Sequence, residues 1–272
     1  MHRGDGRLEK RYDSHTCNTR ELGGSTGSRP KTEARNSKQY FLREYVHCCI
    51  TSHAAVFLDT KHDTYLGVPL ELTSYLSGLV AGWPECDRSI AFRSDDAEML
   101  LTTLTEKGVL TVDRALGNPA IPPSLPAVQQ SLASWDTMGW KHIRARHVIR
   151  FLNAYLWTVV SLRLRGLHYV LTALRERKER QSQHRRALDL DAARRLIAAF
   201  YHIRPFIYGK KGRCLVDSVT LLEFLAAHAL HPTLVIGVRT RPFGAHSWIQ
   251  HGQYVLNGTP EYVRAYTPIL SI

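Results

Sequence analysis

Gly212-Arg213-Cys214-Leu215-Val216-Asp217-Ser218 opens an apolar run that continues to Ala229; Gly244-Ala245-His246-Ser247-Trp248 and Val255-Leu256-Asn257-Gly258 follow it. Leu215, Val219, Leu222 and Ala226 recur at i, i+4, i+7 and i+11, the spacing of one buried helical stripe. Cys214 therefore falls in the first turn of that helix. Backbone N–H groups there lack intrahelical acceptors, and the positive end of the helix dipole favours a thiolate. Lys210, Lys211 and Arg213 add positive charge at the same end. A thiol so placed, with a histidine and a polar residue on the strands that come next, has the order of a nucleophile, its base and an orienting group.

The strand pattern picks out the base. His251-Gly252 reads as a two-residue hairpin turn, because glycine adopts the positive φ such turns require. That register opposes Gln250 to Gln253, Trp248 to Val255 and His246 to Asn257, and the period of two keeps all six on one face. Opposed Cβ atoms stand roughly 4.5 to 5.5 Å apart, so Asn257 would orient the His246 imidazole. The predicted catalytic set is Cys214, His246 and Asn257. Each has a plainer role when taken singly: a free cysteine on an amphipathic helix is commonly a small core residue, and a histidine on a strand a satisfied polar one. It is their order along the chain that favours catalysis. Asp217 most simply complements the helix dipole, with a carboxylate partner role as the rival reading. His228 and His231 have metal-ligand spacing but no third ligand, and read as a helix end before Pro232. No metal or cofactor is expected.

Composition narrows the class. The 272 residues carry a net charge of +12, and the excess is local: between Lys141 and Arg186 there are 12 Lys/Arg against only Glu176 and Glu179. The plain reading is a solvated helix face, Arg163, Arg165, Arg175 and Arg177 included. No aromatic-and-basic RNA motif or zinc-finger spacing accompanies it, which argues against nucleic acid. Five cysteines (Cys17, Cys48, Cys49, Cys86, Cys214) form no CxxC pair and are odd in number, which argues against a disulfide framework and a structural zinc site. The longest apolar stretch, Phe151 to Leu162, is too short to span a bilayer, and no secretory signal opens the chain. A reducing cytoplasm is the expected compartment.

Organisation follows from shifts in pattern. Residues 1–40 are polar and lack apolar periodicity, which predicts a disordered basic arm. Three short strands are expected at Tyr45–Ile50, Ala55–Asp59 and Thr64–Val68, then helices over Glu71–Leu79 and Ser94–Lys107, with Gly108 as a C-cap before a short closing strand. This is a winged-helix-like module over 41–115. Four prolines between Asn118 and Pro126 predict a linker across 116–136. Beyond it, 137–272 reads as a long helical segment to Arg180, a helix over Leu188–Ile203, the Cys214 helix, and strands at Thr233–Arg239, Ala245–Gln250 and Gln253–Asn257. The fold class is α+β.

Arg213-Cys214-Leu215 with Asp217-Ser218, Ile236-Gly237-Val238, Pro242 to Gln250, Val255-Leu256-Asn257 and Tyr266-Thr267-Pro268-Ile269-Leu270 together resemble the lasso-peptide maturation proteases, the B proteins of the microcin J25 processing type. These have a papain/transglutaminase-like cysteine peptidase core. Val56-Phe57-Leu58-Asp59, Tyr65-Leu66 and Leu104 to Gly108 are similar to the small PqqD-like module that recognises precursor peptides, here fused to the peptidase.

The resemblance implies removal of the leader from a ribosomally made lasso precursor, which frees the amine that an asparagine-synthetase-like macrolactam cyclase then joins to a side-chain carboxyl. It places Cys214 and His246 on the family's nucleophile and base. Any ATP requirement would belong to the cyclase. Leader capture by strand addition would use Thr64, Tyr65 and Leu66 against Leu100 and Leu104 of the following helix. Relatives carry an aspartate where this chain has Gly258, so Asn257, Asp217 or Glu261 would stand in for it. The departure at Gly258 also keeps open a non-catalytic scaffold that binds the precursor and delivers it to a cyclase. Acyl or amine transfer to a small molecule is a third reading that leaves the first module unexplained.

Overall fold

The computed structural model describes residues 38–85, 94–132, 143–181, 189–209 and 213–272. The predicted arm up to residue 37, Lys210 and Lys211, and the starts of the two helical segments expected at Thr137 and Leu188 lie outside these. Residues from Ser37 to Ile272 form one compact unit.

The N-terminal half is built on strands β1 (Phe41–Arg43), β2 (Val46–Ile50), β3 (Ala54–Asp59) and β4 (Thr64–Pro69), a single turn α1 (Leu70–Thr73), helix α2 (Ser94–Glu106) and short strands β5 (Leu110–Thr111) and β6 (Gly117–Asn118). The antiparallel sheet β2-β3-β4 has β4 at its edge, and β1 pairs with β5 and β6 in a second sheet. The three predicted strands and the second helix agree with these bounds to within a residue or two. Gly108 takes φ +70° after α2, as a C-cap glycine should.

Strand alternation decides how this half attaches to the rest. Cys48, Ala55, Phe57 and Val68 face a cluster with Leu76, Trp83, Leu101 and Leu104. Cys49, Val56 and Leu58, on the other face, belong to the large core of the C-terminal half, and Tyr65 packs against it. The middle sheet is thus buried on both sides, as its near-continuous apolar strands require.

The proline-rich stretch, predicted as a linker over 116–136, is tied to the fold at several points among its described residues. β6 pairs with β1 and β7 (Gln130–Ser131) pairs parallel with β10 (Tyr254–Val255). Pro126 O accepts from Gln250 Nε2 at 2.7 Å, and Val128 O accepts from Arg264 Nε at 2.9 Å.

The C-terminal half holds helices α3 (Ala145–Gln181), α4 (Leu190–Ile203) and α5 (Cys214–Ala226), then β8 (Thr233–Thr240), β9 (Phe243–His251), β10, α6 (Pro260–Val263) and β11 (Thr267–Ser271). The sheet order is β11-β8-β9-β10-β7. α3 breaks at Gly166, where φ is +79°. Leu221, Leu222, Phe224 and Leu225 of α5 pack with Leu234, Ile236, Val238 and Ile249 of β8 and β9. Val235, Trp248, Val255, Val263 and Tyr266 form a smaller cluster, on the sheet face away from α5. The basic series on α3 is a surface face for Arg163, Arg165 and Arg175, whereas half-buried Arg177 pairs with Glu223. Among the described residues no helix is long and apolar enough to cross a membrane.

Candidate active site

α5 begins at Cys214 as predicted, with Arg213 at the cap position and no side chain capping the first turn. Three cysteines are described. Cys48 and Cys49 are buried, and burial pushes both thiols up to about 12, which makes them inert. Cys214 is half-buried and accessible.

His246 lies in β9 and packs among rings: Trp248 at 6.2 Å, Tyr262 at 4.9 Å and Tyr266 at 5.3 Å between centroids. Tyr266 Oη donates to Tyr262 Oη at 3.1 Å. Burial lowers the His246 pKa below the ordinary 6.5, which keeps the imidazole neutral and able to accept a proton.

Two tyrosines lie within electrostatic range of the thiol. Burial and then the Tyr262 hydroxyl raise the Tyr266 phenol, with a smaller electrostatic contribution from Cys214. Tyr65 of β4 is pushed up to about 12, first by burial and then by Asp63 and Cys214. It also meets Phe243, at the start of β9, edge-on at 5.5 Å. Tyr266 thus packs on His246 and lies within electrostatic range of Cys214, as Tyr65 does from the edge of the N-terminal sheet. Among the described residues no hydrogen bond joins the thiol to His246. In free enzymes such bonds commonly tighten only when substrate arrives.

Asn257 is not the partner the expected register made it. The hairpin turns at Gly252-Gln253, opposing His251 to Tyr254 and Gln250 to Val255, so the pairing slides by two residues. Trp248 and Val255 still share a face because a slip of two preserves parity. β10 ends at Val255, however, and Asn257 turns toward α5. Its Oδ1 accepts from Ile249 N at 2.7 Å and its Nδ2 donates to Ser218 Oγ at 2.8 Å. Ser218 in turn donates to Ser247 O at 2.9 Å. Asn257 thus fastens the hairpin end to α5.

Asp217 is engaged elsewhere as well: Arg204 pairs with it at 3.2 Å and Tyr208 Oη donates to it at 3.0 Å. Glu261 is exposed in the first turn of α6. At Gly258 a Cβ would meet only Val263 Cγ1 at 3.6 Å and Val255 Cγ2 at 3.7 Å, ordinary contacts with the cluster that His246 adjoins through Trp248 and Tyr266. A side chain here would reach the histidine's face of the sheet.

The thiol at the start of α5 and the histidine on the second strand of the following sheet fall within one segment that comparison with known families picks out. Residues 154–271 match the model of the transglutaminase-like superfamily. This segment is a transglutaminase-like domain. It takes in most of α3, then α4, α5 and the sheet from β8 to β11, and so both Cys214 and His246. The match does not extend to the N-terminal half. The microcin J25-processing protein McjB of Escherichia coli is 38% identical over 64 residues, which are 24% of this chain and 29% of that protein. The chain thus matches under a third of the relative's length. No solved structure matches.

Of the predicted leader-binding residues, Thr64, Tyr65 and Leu66 line a cavity of about 280 Å³ with Phe57, Asp59, Lys107 and Val109. Leu100 is half-buried, packed against the N-terminal core cluster, and is not in that lining. Leu104 is packed in the N-terminal core cluster with Phe57 and is not among the residues that line this cavity. Sequence reasoning missed Tyr262 and the placement of Tyr266. The signal was present: Thr259 caps α6 by accepting from Tyr262 N, with Pro260 at the first helical position and Glu261 in the first turn. That helix start puts Tyr262 and Tyr266 four residues apart beside the histidine strand.

Proposed function

We propose that this protein is a cysteine peptidase that removes the leader from a ribosomally made lasso-type precursor. Cys214 attacks the carbonyl at the junction; His246 accepts the thiol proton and returns it to the leaving amine, and water then releases the acyl group. The Cys214 backbone N–H, at an α5 start that no side chain caps, is the oxyanion donor. The observation that carries the reading is Tyr65. It stands on an edge strand and within electrostatic range of Cys214, the one described cysteine that is not buried. A peptide added to β4 would leave that edge next to the nucleophile, and tethering raises the effective concentration of the scissile bond. The N-terminal half would then be the PqqD-like recognition module. The freed amine is substrate for a separate asparagine-synthetase-like cyclase, and a reducing cytoplasm keeps the thiol active. McjB, named for processing microcin J25, supports the substrate class.

The test is cleavage of a lasso-type precursor peptide, followed by mass spectrometry. Cys214→Ala is expected to abolish cleavage while retaining precursor binding; cleavage at the wild-type rate would remove Cys214 as nucleophile. Gly258 favours a second reading, a scaffold that binds without cutting. Iodoacetamide separates the two, since a Cys214 no more reactive than a free cysteine at neutral pH supports the scaffold.

A further inference from the structure

At the far end of α5 from Cys214, roughly 20 Å away at 1.5 Å per residue, a second cavity of about 370 Å³ lies between the start of α3, the outer face of α4 and the chain following α5. Small-molecule pockets are commonly about 300–1,000 Å³. Three histidines (His147, His202, His228) and three arginines (Arg144, Arg146, Arg195) contribute to its lining. Among the described residues no carboxylate lines it, and none pairs with these three arginines.

The hydrogen bonds fix what the histidines offer. Arg150 Nη1 lies 2.9 Å from His228 Nδ1. A guanidinium has only donors, so Nδ1 must accept and the ring proton is on Nε2. That Nε2 is buried and has no acceptor. His147, 8% exposed, is fixed the same way: the Arg144 backbone N–H donates to its Nδ1 at 3.3 Å, which leaves Nε2–H as its second donor. Burial, followed by the arginines nearby, holds both rings below the ordinary histidine range, His228 at about 4. They are neutral donors near pH 7. The start of α3 adds the positive end of a long helix. Two histidines whose Nε2 atoms carry the ring proton and three exposed arginines thus contribute to one cavity. Among the described residues no group of three metal-ligating side chains is close enough to hold a cation.

We propose that this cavity binds a phosphate-bearing small molecule. Donors approaching from three elements suit a tetrahedral anion with several oxygens better than a planar carboxylate, and arginine forks are the common partners of phosphate. The site is independent of the peptide chemistry proposed above.

Titration calorimetry on the full chain with inorganic phosphate and with pyrophosphate tests it. Saturable binding is expected, weakened at least tenfold in Arg146→Gln/Arg195→Gln and unchanged in Arg163→Gln/Arg165→Gln, which removes equal charge from the exposed face of α3. Nitrogen-15 spectra of the histidine rings should show His147 and His228 as Nε2–H tautomers whose pKa values rise when phosphate is added. Absence of saturable binding, or equal weakening in both double variants, overturns the proposal. So does binding to vesicles of phosphatidic acid with none to soluble phosphate, which would assign the arginines to a lipid headgroup.

Discussion

Replacing Asp217 by asparagine separates a structural carboxylate from a catalytic one. Asp217 is one turn from the nucleophile, where a partner for catalysis could stand, yet its oxygens are held by Arg204 at 3.2 and 3.3 Å and by the Tyr208 hydroxyl at 3.0 Å. The Arg204 side chain is only 7% exposed. Removing the charge opposite a buried guanidinium leaves it uncompensated, which costs about 3–5 kcal/mol. For a chain of this size that lowers Tm by roughly 6–20 °C. The assay pairs a thermal melt with kcat measured well below the variant's Tm. The expected outcome is a large loss of Tm with kcat little changed. Arg204→Met/Asp217→Leu should recover most of the stability, because an apolar pair leaves no buried charge. An unchanged Tm together with lost turnover would refute the assignment and put Asp217 in the chemistry.

Asn257→Ala should cost about 1–3 kcal/mol by leaving the Ile249 N–H without its acceptor, seen as a lower denaturant midpoint with kcat retained at low temperature. Gly258→Asp should fold with stability within about 0.5 kcal/mol of wild type, since its Cβ meets only van der Waals contacts; kcat should rise if a carboxylate there orients His246, and a fall in Tm with no gain in turnover counts against that geometry. Burial, then Arg175 and His168, lowers the His47 pKa to about 4. Between pH 6.5 and 4 the unfolded chain takes up the proton and the folded one does not, so stability falls as pH falls, by up to about 3 kcal/mol. Urea unfolding across this window should show that slope, flattened in His47→Gln.

The helix bearing Cys214, the histidine strand and the three strands of the N-terminal half were legible because each follows local rules: a 3.6-residue stripe, alternation, glycines at turns. The role of Asn257 was not. Gln250 and Gln253 suit a turn at His251-Gly252 as well as the observed one at Gly252-Gln253, and side-chain parity is identical in both. Only the buried Gln250 bonds to Pro126 and Gly252, with Trp248 Nε1 donating to its Oε1, distinguish them. Leu104 was misplaced for a related reason. Periodicity identifies the apolar face of α2, but not whether a residue on it lines a groove or packs in the core. The proline-rich stretch followed its composition in being extended, while its docking depends on partners more than a hundred residues away, beyond any local pattern.

The sheet β2-β3-β4, covered on both faces, makes the two halves a single folding commitment. A peptide chain severed at the proline-rich stretch would yield an N-terminal piece with Cys49, Val56 and Leu58 bare and a C-terminal piece with a matching hole. Neither would be a soluble module awaiting a partner; each would be half of an interior.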